Sequence, residues 1–218
     1  SDDGADGEIP LTPVQHWMLG LDMPDAAHFN QSVLLVLPSQ SPAAPWRQAL
    51  AWLQRRHAAL RLRFGVQADG QPWQRLQTDA AEPELPVVDF TGADGVARLQ
   101  ADIQQRQRGL QPATGPVWRA CLYRLDDGDR LFITIHHWAV DGVSWRLLLA
   151  DLHRACQALL RGQAIPAEPP AGSVVAWARQ LQQATASGRF DAQRGYWLAQ
   201  LPPDCGRLPR HAEAAGPA

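Results

Sequence analysis

Residues 131–152 read LFITIHHWAVDGVSWRLLLADL, and both the fold and the site turn on this run. Leu131, Ile133 and Ile135 alternate with Phe132 and Thr134, bounded by Asp126-Asp127-Gly128-Asp129 before and Asp141-Gly142 after. This β-branched, aromatic-rich pattern predicts a buried strand. Successive strand side chains point to opposite faces, so His136 falls with Phe132 and Thr134 while His137 falls with Leu131, Ile133 and Ile135. The two imidazoles therefore cannot share one task. Beyond the turn, Trp145, Leu148, Leu149, Leu152, Cys156, Leu159 and Leu160 recur at helical spacing, with Arg146, Asp151, Arg154 and Arg161 largely opposite. A helix is expected to begin near Ser144. Gly142 is the residue that a positive φ would demand, and it would let a ligand approach the backbone beside His137.

Working outward, the remaining chain alternates strand and helix signals. Thr12, Pro13 and Gln15 form an N-cap, first-turn proline and capping-box pattern for a short helix carrying Trp17, Met18 and Leu21. A strand is predicted over 30–37 and an amphipathic helix over 42–60. Leu60, Leu62 and Phe64 alternate with Arg61 and Arg63, and Gly70 turns the chain back through Trp73, Arg75 and Gln77 as a hairpin. Further elements are a short strand at 86–90, a polar helix at 92–108, a strand at 117–125 and two helices at 173–187 and 191–201. Such layering predicts an α/β fold, an α+β sandwich with a mixed sheet and helices packed against it. Residues 1–8 read as a disordered lead-in or linker, 9–201 as the folded lobe, and 202–218 as a proline- and alanine-rich tail outside it.

Composition narrows the function classes. With 218 residues, 45% hydrophobic content and nine tryptophans, the chain can bury a sizeable core. A net charge of -2 and the lack of basic runs argue against nucleic acid. All twenty basic residues are arginine, a compositional bias rather than a binding signature. No stretch approaches the apolar length of a membrane span, and the acidic opening is unlike a signal peptide, so a cytoplasmic location and no membrane partner are expected. Cys121, Cys156 and Cys205 are odd in number and scattered, which fits reduced thiols rather than disulfides or a metal motif.

The run His136-His137-Trp138-Ala139-Val140-Asp141-Gly142 resembles the HHxxxDG motif of the condensation-domain superfamily of nonribosomal peptide synthetases, whose fold is similar to chloramphenicol acetyltransferase. Val143-Ser144-Trp145-Arg146 after it, with Leu11-Thr12-Pro13-Val14-Gln15 and His28-Phe29-Asn30-Gln31-Ser32 near the start, resembles the epimerization branch more than the peptide-bond-forming branch. The resemblance spans most of the chain. It implies the N-terminal lobe of a two-lobed domain enclosing a substrate tunnel, with the second lobe absent here. That lobe carries a glutamate in an EGHGRE-like motif in the family, and no such run occurs in this sequence.

The same resemblance implies the activity and its partners. The expected reaction is epimerization, by Cα proton transfer, of an L-aminoacyl or peptidyl thioester carried on the 4'-phosphopantetheine of a carrier protein, with no cofactor bound directly. His137 would be the catalytic acid-base residue. His136, Asp141, Gly142 and Arg61 would shape the site, and Ser144 and Trp145 would line the substrate channel. By the family reading Asp141 pairs with Arg61 to fix the loop, at a cost of roughly 3–5 kcal/mol when a fully buried partner is removed. A condensation domain and a non-catalytic lobe that docks a carrier protein are the alternative readings.

Each residue also has an ordinary reading. A histidine at the end of a buried strand is commonly a satisfied core group, and Asp141-Gly142 could be only a turn. Metal binding by two histidines and an aspartate is opposed by the divergence of adjacent strand residues. The cysteines have no histidine tied to them, and the tryptophans read as core. His16, His28, His57, His153 and His211 lack a supporting constellation and are assigned no role.

Overall fold

The computed structural model describes residues 7–21, 23, 25–167 and 172–200. In chain order its elements are α1 (Pro13–Leu19), β1 (Asn30–Leu37), α2 (Ala43–Arg56), β2 (Leu62–Val66), β3 (Pro72–Leu76), β4 (Val87–Asp89), α3 (Gly95–Arg108), β5 (Trp118–Arg124), β6 (Asp129–His136), α4 (Gly142–Leu160), α5 (Val174–Ala186) and α6 (Asp191–Ala199). The main sheet has the order β1-β6-β5-β4, and β2-β3 form a separate two-stranded ribbon. Among the described residues only the β4–β5 pair is parallel, so the sheet is mixed.

β6 is the inner strand that the motif reading requires. It pairs antiparallel with β1 on one edge and β5 on the other. Its period-2 pattern sends Leu131, Ile133 and Ile135 into the main core with Leu50 and Leu53 of α2 and Leu148 and Leu152 of α4. Phe132 meets Leu99 of α3, Cys121 and Tyr123 on the other face. A strand covered on both sides needs apolar residues in both registers, which is why this run is nearly continuous in hydrophobicity.

The helices over β6 are locked by one buried carboxylate. Asp151 of α4 accepts from Arg56 Nε at 2.7 Å and from His57 Nε2 at 2.7 Å, and also bonds Arg154. Burial alone would raise its pKa, but hydrogen bonds from Arg56, His57 and Arg154 outweigh that and hold the carboxyl below its ordinary value. The imidazole of His57 is pushed down by burial, against the opposing pull of Asp151.

This cluster explains a boundary that periodicity misplaces. The helix predicted to continue to residue 60 ends at Arg56; His57 adopts an extended backbone and a 3-10 turn covers Ala58–Arg61. The strand accordingly starts at Leu62, two residues later than the alternation suggests, and Arg61 belongs to the turn. One further difference is local. The lead-in is already paired at Glu8, which bridges to Arg75, and Ile9 N–H donates to the Gln74 carbonyl at 2.9 Å. Residues 1–6 and the 202–218 tail lie outside the described residues.

Removing the Asp151 carboxylate strands cations beside a largely dry position, since its side chain is 7% exposed. Asp151→Ala should cost about 3–5 kcal/mol, read from denaturant midpoints; a loss near zero would show that the α2–α4 contact does not depend on it.

Candidate functional site

β6 ends at His136, but its pairing with β1 runs one residue further: His137 N–H donates to the Phe29 carbonyl at 2.8 Å. The His137 ring stacks on Phe29, with centroids 4.9 Å apart and planes 12° from parallel. Its Nδ1 lies 2.8 Å from the Val140 carbonyl oxygen, and its Nε2 lies 3.0 Å from Gln31 Nε2. Gln31 in turn accepts at Oε1 from the Trp145 indole N–H at 2.9 Å. The Val140 carbonyl can only accept, so Nδ1 carries the ring proton. The lone pair is left at Nε2.

His136 is built differently. It is 2% exposed, its Nε2 lies 2.8 Å from the Ala26 carbonyl oxygen, and its Nδ1 accepts from Trp138 N–H at 3.1 Å. Phe64 meets the ring edge-on at 4.9 Å. Both nitrogens are occupied by backbone groups, which leaves none for a substrate. Burial pushes its pKa below the ordinary histidine value, against the pull of the Ala26 carbonyl and with a further push from His137.

His137, Asp141 and Ser144 line a cavity of about 980 Å³, together with His57, Trp138 and apolar side chains of α1, α4 and α5. Trp17, Leu147 and Trp177 in its walls are 63%, 63% and 57% exposed, so the cavity is an open, apolar-walled cleft. The site is thus an imidazole in the wall of an apolar cleft, its one unprotonated nitrogen, Nε2, facing the Gln31 amide.

Asp141 does not pair with Arg61. Its Oδ1 accepts from Ser144 N–H at 2.7 Å and from Ser144 Oγ at 2.6 Å, making it the N-cap of α4. These bonds, and a smaller pull from His137, hold the carboxyl below the usual range. The physical reason is competition: the unpaired amides at the helix start lie within reach of the carboxylate. Arg61, carried off the strand by its 3-10 turn, instead sends Nη1 toward the Gln77 carbonyl oxygen at 3.4 Å. The helix consequently starts at Gly142 rather than Ser144. Gly142 is not among the positive-φ residues, and an added Cβ there would meet nothing within 4 Å, so its backbone does not demand glycine. Trp145 turns its indole N–H to Gln31 and is not in the cavity lining.

Two residues with no role in the sequence reading belong to the site. Gln31 meets Nε2 of His137 across 106 positions of sequence, and only the β1–β6 register could have revealed it. His57 lines the cleft while bound to Asp151. Cys121 and Cys156 are buried and their thiols are pushed up to about 11 by desolvation, which leaves them protonated near neutrality. Cys205 lies outside the described residues.

A family model described as "Condensation domain" matches residues 5–216. The chain belongs to the condensation-domain family. It is 35% identical over 213 residues to one of the linear gramicidin synthase proteins of Brevibacillus parabrevis, covering 95% of this chain and 3% of that protein. It is 35% identical over 218 residues to the chondramide synthase of Chondromyces crocatus, covering 92% and 5%. Among solved structures, the epimerization domain from the third module of tyrocidine synthetase B superposes with a TM-score of 0.89 at 31% identity, over 99% of this chain and 50% of that one. The starter condensation domain of rhizomide synthetase gives 0.76 at 25% identity, over 91% and 48%. The mixed sheet and its helices are the chloramphenicol-acetyltransferase-like fold of these condensation-family domains. The chain spans about half the length of the solved domains and a small fraction of the synthases it matches.

Two measurements check this geometry. Asp141→Ala should cost about 1 kcal/mol, the worth of an N-cap, and should add to Arg61→Ala within about 0.5 kcal/mol; strong coupling in the double-mutant cycle would restore the ion pair. His136 and His57 both have depressed folded values, so the unfolded chain binds more protons below about pH 6.5. Stability should fall as pH drops from about 6.5 toward those folded values, and level off below them. Urea melts between about pH 7 and 5 should show a shallower slope for His136→Gln; an unchanged slope would mean that His136 is not held neutral.

Proposed function

We propose that this condensation-family chain is the N-terminal lobe of an epimerization domain, converting an L-aminoacyl or peptidyl thioester to the D form. The substrate would hang on the phosphopantetheine arm of a carrier protein, as substrates of nonribosomal peptide synthetase domains do. The observation that carries the choice of branch is the fit to the tyrocidine synthetase epimerization domain, 0.89 in TM-score against 0.71 to 0.78 for the condensation-domain structures. The Val143-Ser144-Trp145 run after the motif supports the same branch.

In this reading the thioester carbonyl acidifies the Cα proton, and His137 Nε2 removes or returns it from one face. Val140 holds the opposite nitrogen as the donor, so the ring keeps a defined orientation through the transfer. Phe29 fixes the ring plane by stacking. The apolar cleft walls suit an aminoacyl group, and shielding the carbanion-like transition state from water would need the second lobe closed over this open cleft. Inversion needs a second acid-base group on the other face of Cα, and the family's EGHGRE-like glutamate, assigned to the second lobe, would supply it. Asp141 acts through the turn and exchanges no proton.

The test is to load a carrier protein with the L-aminoacyl thioester in deuterated water and follow label at Cα, chirality and peptide product together. A complete two-lobed domain containing this chain should take up label and invert Cα, and His137→Ala should abolish both. Peptide formation with retained chirality would assign it to the condensation branch, and neither product would leave only carrier docking. This chain by itself should exchange label slower by many powers of ten, because positioning between two walls is worth on the order of 7–11 kcal/mol of barrier.

A further inference from the structure

We propose that Gln31 is a positioning residue for His137: anchored by the Trp145 indole, its amide presents N–H to the imidazole Nε2 and holds that nitrogen unprotonated. This rests on the reading of His137 as the acid-base group. The β1–β6 register sets Gln31 opposite Ile135, on the strand face that His137 continues. From there the side chain reaches two groups, Trp145 Nε1 at 2.9 Å and His137 Nε2 at 3.0 Å.

The direction of the amide follows from donor and acceptor counting. An indole N–H only donates, so it must meet the amide oxygen, which leaves the amide N–H2 facing the imidazole. Nε2 must then accept. On the far side of the ring the Val140 carbonyl only accepts, so Nδ1 must donate. Two constraints from opposite sides thus select the same tautomer. A second ring proton at Nε2 would point at the amide N–H2, donor against donor. Turning the amide over would relieve that contact only by setting N–H2 against the Trp145 indole N–H. Gln31 therefore works as a latch: the ring stays in its base form until the amide swings aside, as an entering substrate Cα would require. The titratable groups that bear on the ring are His136 and Asp141, with His57 in the same cleft. Phe29 from the segment before β1 and Trp145 from α4 bring no charge.

The test uses nitrogen-15 NMR of the His137 ring in this chain. Gln31→Glu supplies acceptor oxygens to both Trp145 and Nε2, so the ring should take its second proton at a pH about 1–3 units higher than in the unsubstituted chain. Trp145→Phe frees the amide to turn over and should move proton uptake the same way by less. If Gln31→Glu does not fold, Trp145→Phe carries the test. In the complete domain, the acid limb of the label-exchange profile of Gln31→Glu should move up by the same amount, with the plateau recovered at high pH. A purely structural role would lower exchange at every pH without moving that limb. Folded Gln31→Glu or Trp145→Phe chains with His137 protonation unchanged would overturn the proposal. The NMR result does not depend on the reaction: if His137→Ala still exchanged label, the proposed function would fail while the latch stood.

Discussion

The structure depends on the double pairing of β6. Because that strand is hydrogen-bonded on both edges and packed on both faces, its end is fixed in position to the precision of the core. The two histidines sit at that end, and their fates separate within one residue. His136 is the last paired residue and is enclosed by backbone groups. His137 makes one more bond, to the Phe29 carbonyl just before β1, and then leans on the Phe29 ring at the cleft wall. Ordering a side-chain ring costs conformational entropy that a loop would have to offset by itself; here the sheet has already supplied the order.

Two aspartates show how location decides what a carboxylate does. Asp151 lies under α2, where it gathers Arg56, His57 and Arg154 and clamps the helices covering β6. Asp141 lies at an exposed helix start, where backbone amides are nearer than any arginine and capping wins. The motif aspartate therefore orients the turn after His137 by capping α4. That turn brings the Val140 carbonyl to the imidazole, so capping and ring orientation are parts of one local geometry.

Much of this was legible in the chain itself. The alternation of Leu131, Ile133 and Ile135 identified the central strand and the divergence of the two histidines, and residues 30–37 were bounded correctly as β1. What failed were contacts that no local pattern encodes. The end of α2 depends on His57 meeting Asp151 from a distant helix, and that shift removed Arg61 from the strand and from Asp141. Gln31 stands in the sequence only as part of the His28–Ser32 run that carries the family resemblance; its contacts appear when register places it beside His137 and Trp145 rises from α4 to meet its oxygen. Periodicity reports which face a residue occupies, not which side chains it finds there.

The neighbouring histidines hold opposite tautomers, His136 with both nitrogens spent on backbone groups and His137 with Nε2 turned to the Gln31 amide. Two-bond nitrogen–proton correlation spectra of this chain at neutral pH test it directly. His136 should show its proton on Nε2, facing Ala26, with Nδ1 accepting from Trp138; His137 should show its proton on Nδ1, with Nε2 unprotonated and accepting from Gln31. The same tautomer on both rings, or a His137 ring exchanging freely between the two, would contradict the account.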